Sequence, residues 1–189
     1  MNIRLAAPIQ YDSIVDGEGM RAVLWTQGCT HNCLGCHNPN THSFKEGYVV
    51  DTKTLIDELS QNMKYQDGIT LSGGDPFMQS SSVKEIASYV KSLGKDVWAY
   101  TGFEFKELIE MSKKNEDIME LLKNVDVLVD GKFRLEELSL DLYYRGSRNQ
   151  KIIDVQKSLK SNEDDTLNNK FMKLKINSNI LEKNKCIFV

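Results

Sequence analysis

The sequence has no long apolar run. Nothing in it approaches the roughly 18 residues that a membrane-spanning helix needs, so no membrane span is expected. It has no excess of either charge. With 24 lysines and arginines against 27 acids, a net charge of -3 gives no electrostatic case for nucleic acid or an anionic membrane. Like charges are interspersed, not blocked, as on the solvated faces of helices. The opening residues, MNIRLAAPIQYDS, hold one arginine and no apolar centre, and do not read as a secretory signal. No repeat is visible. These absences make the cytoplasm the expected compartment for a chain of 189 residues, 40% hydrophobic, with enough length for one real core.

Cysteine is scarce as well, with four in all, yet three stand in one stretch, GCTHNCLGCHNP (28–39). Cys29, Cys33 and Cys36 have the spacing C-x3-C-x2-C. In a reducing compartment such a cluster binds metal or does chemistry in preference to forming disulfides, and three local thiols would leave one unpaired. Zinc would need a fourth ligand from His31, His37, His42 or Cys186, and no second C-x2-C or H-x3-H pair follows. Covalent haem matches CLGCH (33–37) literally but leaves Cys29 unexplained. A 4Fe–4S cluster accounts for more: three thiolates hold three irons and leave the fourth open to a small molecule. Gly28 and Gly35 would let the loop wrap a bulky inorganic core, with main-chain N–H groups donating to sulfur.

Patterning places that loop in an α/β fold. RAVLWTQ (21–27), GITLS (68–72), DVWAY (96–100) and VDVLVD (125–130) read as strands, with KIIDV (151–155) a weaker fifth. Helical patterns lie between them at 51–63, with Asp51 as N-cap and Leu55, Ile56, Leu59 and Met63 inward, and at 81–94, with Val83, Ile86, Ala87, Val90 and Leu93 inward. FKELIEM and EDIMELLK are two more. Alternation of this kind predicts a mostly parallel sheet with crossover helices. The units are too few for a closed eight-fold barrel, so a partial (βα) barrel of about five to six strands with outer helices is expected. Residues 1–155 would form this domain and 156–189 an extension, with FMKLKI as an edge strand. Functional loops of such folds lie at the carboxyl ends of the strands. The cysteine loop, Gly73-Gly74-Asp75, Thr101-Gly102 and Asp130-Gly131 all fall there.

LSGGDP (71–76) is the second motif. Gly73 and Gly74 would let a ligand lie against the backbone, and Asp75 could accept from an ammonium group. Taken alone, it also reads as an ordinary strand-to-helix turn.

With C-x3-C-x2-C on the first βα loop and Gly-Gly-Asp-Pro after the second strand, the chain resembles the radical S-adenosylmethionine superfamily. More closely, it resembles the activating proteins of anaerobic (class III) ribonucleotide reductase. The matching stretches are VDGEGMRAVLWTQGCTHNCLGCHNP (15–39), ITLSGGDP (69–76), DVWAYTG (96–102), VDVLVDGKF (125–133) and RGSRNQ (145–150).

The resemblance implies an enzyme in which Cys29, Cys33 and Cys36 ligate the cluster and S-adenosyl-L-methionine chelates the open iron. Gly73, Gly74 and Asp75 would hold its amino end, Gly35 and His37 would lie against the adenine, and Thr101 would support the site. An electron from a flavodoxin-like donor would split the sulfonium. The resulting 5′-deoxyadenosyl radical would take hydrogen from a glycine of the reductase large subunit. Asp130, Lys132, Arg145, Ser147, Asn149 and Gln150 are candidates for docking that partner or positioning the cofactor. An activase of a pyruvate formate-lyase-type enzyme, and a zinc-binding module without catalysis, are the rival readings. Trp25 and Trp98 are read as core, His31 and His42 as incidental loop histidines, and Cys186 as a free thiol.

Overall fold

The computed structural model describes residues 1–161 and 164–168. Cys186 and the expected edge strand FMKLKI lie outside the described residues.

The eight strands among the described residues form one sheet. They are β1 (Asn2–Leu5), β2 (Gln10–Ser13), β3 (Arg21–Thr26), β4 (Tyr48–Asp51), β5 (Gly68–Gly73), β6 (Asp96–Tyr100), β7 (Val127–Asp130) and β8 (Lys151–Asp154). Their order is β4-β1-β3-β5-β6-β7-β8, with β2 also paired to β3. The helices are α1 (Thr52–Asn62), α2 (Ser80–Ser92), α3 (Phe105–Ser112), α4 (Glu116–Asn124) and α5 (Val155–Ser161).

The parallel centre matches the expectation. β3, β5, β6 and β7 run parallel, in registers that align Thr26 with Gly73, Leu71 with Ala99, and Tyr100 with Val129. Their carboxyl ends therefore open along one edge. The flanks differ from the expectation. β1, β2 and β4 had no expected counterpart; they are short and pair antiparallel. β8 is antiparallel to β7 because no crossover helix joins them, only an irregular segment over 131–150.

Local chemistry explains the helices. Asp51 caps α1 by accepting from the Lys53 N–H at 2.9 Å. In α2, Val83, Ile86, Ala87 and Val90 are fully buried at i, i+3, i+4 and i+7. Leu93, expected inward, is 43% exposed: the helix ends one residue earlier, and Gly94 turns away with φ +73°. Ile56 is only half-buried, while Leu55, Leu59 and Met63 are core.

Alternation along the parallel strands sorts their side chains to two faces. Ala22, Leu24, Ile69, Leu71, Val97, Ala99 and Leu128 pack under α1 to α4 in the main core. The opposite face carries Arg21, Val23, Thr70, Trp98 and Val129, also buried. Burial on both sides explains the near-continuous apolar runs of these strands. At the carboxyl end of the second face stand Trp25, Ser72 and Tyr100, where the sheet stops being covered. No helix among the described residues is long and apolar enough to cross a membrane.

Candidate metal and cofactor site

The segment after β3 is tied into a closed loop at its base. The Gly28 N–H donates to Thr41 O at 2.8 Å and the Cys29 N–H to His42 O at 3.1 Å. Gln27, 2% exposed, donates its amide to Asn40 O at 3.0 Å and Ser43 O at 2.7 Å. Inside the loop, the Cys36 N–H donates to Cys33 O at 3.1 Å, which brings the last two thiols round a tight turn.

The turn after β5 is stitched to the same base. The Gly74 N–H donates to Thr26 O at 2.7 Å and the Asp75 N–H to Gly28 O at 2.9 Å. This close approach is why both glycines are required. Gly73 sits at φ +102°, and a Cβ on either residue would run into the main chain of Thr26 or Gly28.

Cys29, Cys33 and Cys36 line one cavity of about 480 Å³ with Gly73, Gly74, Thr101 and His37. The Asn38 N–H donates to Cys36 Sγ at 3.4 Å, and the main chain of His31 and of Phe133 lies near enough to Cys29 and Cys33 to favour their thiolates. Burial pushes the Cys29 thiol up to about 11 and the Cys33 thiol upward too, while these main-chain groups pull both the other way. Among the described residues no three His, Cys, Asp or Glu side chains converge to hold a single ion. His31, offered as a zinc ligand, spends its Nε2 on Asp75 at 2.7 Å. Three free thiols on one space fit a polynuclear thiolate-held group better than one zinc ion.

The structure gives several sequence-predicted residues other work. Asp75 is fully buried and does not face the cavity. Its Oδ2 accepts from His31 Nε2, from Thr101 Oγ1 at 2.8 Å and from the Gly102 N–H at 3.0 Å, and its Oδ1 caps the Pro76–Gln79 turn through the Phe77 N–H. With its lone pairs occupied, it anchors three strand ends and has little left for an ammonium ion. Gly35 is exposed outside the cavity, against Leu135 and Phe133. Asp130 and Ser147, candidates for docking, are buried. Asp130 accepts from the Phe105 and Lys151 N–H groups, and Ser147 Oγ from the Arg134 N–H. Lys132 and Asn149 line a smaller neighbouring cleft with Asp130.

Arg145 and Gln150 do reach the main cavity. Gln150 ties RGSRNQ to itself: its Oε1 accepts from the Gly146 and Ser147 N–H groups while its amide donates to Gly131 O. Arg145 donates to Gln150 O at 2.9 Å, but its buried Nε has no partner among the described residues. Burial pushes its guanidinium pKa down.

Sequence reasoning missed other wall residues. Trp25, read as core, is one, as are His31, Tyr100, Phe133 and Tyr144. Asp16 and Val15 belong to VDGEGM, a stretch that matched the family pattern without any role attached. Phe133 ends VDVLVDGKF, another matching stretch to which no role was attached for it, and Tyr144 carried no sequence signal, because the cavity receives it only through the irregular 131–150 segment.

Comparison with known proteins places these features in context. Residues 15–153 match a family described as a 4Fe-4S single cluster domain. The anaerobic ribonucleoside-triphosphate reductase-activating protein of Haemophilus influenzae is 35% identical over 145 residues, 72% of this chain and 89% of the relative. That of Vibrio cholerae is 36% identical over 160 residues, 80% of this chain and 97% of the relative. That of Escherichia coli K12 is 36% identical over 146 residues, 72% and 90%. The crystal structure of QueE from Escherichia coli aligns over 54% of this chain and 53% of its own at 12% identity, with a TM-score of 0.44, too distant to inform the site.

Proposed function

The chain belongs to the anaerobic ribonucleoside-triphosphate reductase-activating proteins and carries their 4Fe–4S domain, and on that premise we propose that it activates such a reductase by reductive cleavage of S-adenosylmethionine. The observation that carries the reading is the meeting of three thiols with the Gly73-Gly74 backbone on one cavity at the carboxyl ends of the parallel strands.

Cys29, Cys33 and Cys36 would hold the cluster as thiolates, giving up their protons. When bound, it would supply one-electron reduction of S-adenosylmethionine, cleaving the S–C5′ bond to methionine and a 5′-deoxyadenosyl radical that would take hydrogen from a glycine of the reductase. The chain's residues do the rest. Gly73 and Gly74 bring bare main chain to the amino end of S-adenosylmethionine. Arg145, the cationic side chain in the wall, faces its carboxylate through donors not used internally. His37, tilted against Phe133 at 5.0 Å, gives the adenine a flat partner, and Thr101 holds the site from behind through Asp75. Asp75 positions; it does not bind the ammonium group. Residues 1–155 form the catalytic domain, with 156–189 as its extension, and the electron comes from a flavodoxin-like protein.

The test is anaerobic. Reconstituted protein should be brown with roughly four irons per chain. With a reductant it should release 5′-deoxyadenosine, and with the reductase it should give a glycine-centred radical in electron spin resonance. An iron-free, colourless protein that leaves S-adenosylmethionine intact would overturn the reading.

A further inference from the structure

The cysteines and the Gly73-Gly74 turn engage the cavity from the strand ends. One residue lower, Trp25 stands in register with Ser72, and Leu71 with Ala99, so Trp25, Ser72 and Tyr100 form one row across β3, β5 and β6. All three line the cavity as its sheet-side floor. Below the row, the loop after β2 crosses the same face. Asp16 O accepts from Thr70 Oγ1 at 2.7 Å, and a Cβ on Gly17 would strike Arg21 and Trp98. Tyr144 rests edge-on against Trp98 at 5.2 Å and closes the floor from the irregular segment. The loop is also the way in. Ile14 and Val15 are 72% and 73% exposed, and Val15 lines the cavity as well, so the outer surface runs continuously onto the row. Tyr100 packs its ring on the buried Trp98, Val129 and Ile152. Its hydroxyl has no hydrogen-bond partner among the described residues. Burial pushes the phenol pKa up, so the O–H keeps its proton. A half-buried O–H of this kind is completed by whatever enters the cavity.

We infer that Tyr100 contacts the protein substrate: its O–H donates to a main-chain carbonyl of the reductase segment that bears the reacting glycine. The inference rests on the activation reading above. That reading gives the strand ends to the cluster and to the amino end of S-adenosylmethionine, and it leaves the floor row for the third participant. A glycine has no side chain to grip, so its segment is oriented through main-chain groups and neighbouring residues. A neutral phenol on a rigid strand supplies one donor at a fixed place. The exposed Ile14 and Val15 give the same segment an apolar edge to cross.

The test uses Tyr100→Phe, which deletes one oxygen and keeps the ring. Reductase made with α-deuterated glycine is mixed anaerobically with the reconstituted full chain, a reductant and S-adenosylmethionine. Mass spectrometry then gives the fraction of 5′-deoxyadenosine that carries deuterium. A wild-type chain that released no 5′-deoxyadenosine, or released it without deuterium, would remove the activation reading and this inference together. In Tyr100→Phe the iron content and the KM for S-adenosylmethionine should stay within about twofold of wild type, while the deuterated fraction falls about threefold or more, the worth of one neutral hydrogen bond. An unchanged fraction would overturn the inference. So would a raised KM for S-adenosylmethionine, which would assign the O–H to the cofactor, or loss of iron, which would assign it to the fold. Each of these three results leaves the activation reading standing.

Discussion

Two buried charges pin opposite ends of the same parallel strands. At the amino ends the Arg21 guanidinium, fully buried, pairs with Asp96 at 2.6 Å and donates to Thr70 Oγ1, Ile69 O and Glu18 O. It also lies 5.4 Å from the centre of the Trp98 ring. At the carboxyl ends the Asp75 carboxylate gathers His31, Thr101, Gly102 and Phe77. In both places one ion collects several segments, and its hydrogen bonds compensate its desolvation. The difference is what the gathered segments carry. Those around Arg21 end in core and surface, whereas those around Asp75 carry the cysteine loop and the glycine turn. One anchor therefore serves stability, and the other serves the geometry of a reaction.

The largest expected effect is at the carboxyl end. Cys33→Ala should abolish stable cluster incorporation and bring S-adenosylmethionine cleavage to background, while apo-protein urea unfolding shifts by no more than about 1 kcal/mol. Arg21→Ala should do the reverse: a loss of about 3–5 kcal/mol in unfolding free energy, because carbonyl and hydroxyl partners are left buried and unpaired. Cluster content of the folded fraction should stay normal. A variant at Arg21 that folded stably but lost iron would break the contrast between the two ends.

Asp75→Asn sharpens the contrast by touching both properties. An amide cannot accept from all the donors that converge on Oδ2, so unfolding free energy should fall by about 1–3 kcal/mol. The displaced glycine turn should raise the KM for S-adenosylmethionine roughly tenfold. Steady-state release of 5′-deoxyadenosine reads this, and an unchanged KM would show that the turn is held without the carboxylate. The smallest effect belongs to neither anchor. Leu140 is 95% exposed in the irregular 131–150 segment, and Leu140→Ser should change stability by less than about 0.5 kcal/mol. If that substitution nevertheless weakened reductase activation while S-adenosylmethionine cleavage stayed intact, the segment would be marked as a partner surface.

Much of the parallel half was legible. β3, β5, β6 and β7 carry dense β-branched and apolar runs ended by polar or glycine residues, and the helices between them keep a 3.6-residue period. The antiparallel flank was not. β1 alternates over only four residues, with Ile3 and Leu5 buried, and β4 is four residues long and almost entirely exposed, so each is too short or too uncovered to stand out. Trp25 was misplaced because strand alternation says which face a side chain takes, not where along that face the cover stops. His31 was taken as incidental because its partner is 44 residues away.

By itself, the sequence determined the cysteine spacing, the glycine pair, the alternation of strand and helix, and through them the family. Each of these is written in neighbouring residues, where backbone sterics and side-chain periodicity act over short range. Tertiary structure alone decided that Asp75 faces inward, that His31 rests on it, and that Phe133 and Arg145 wall the same cavity as the cysteines. These are contacts between segments far apart in the chain. They exist only once the packed core has set the parallel register and brought four strand ends to one edge.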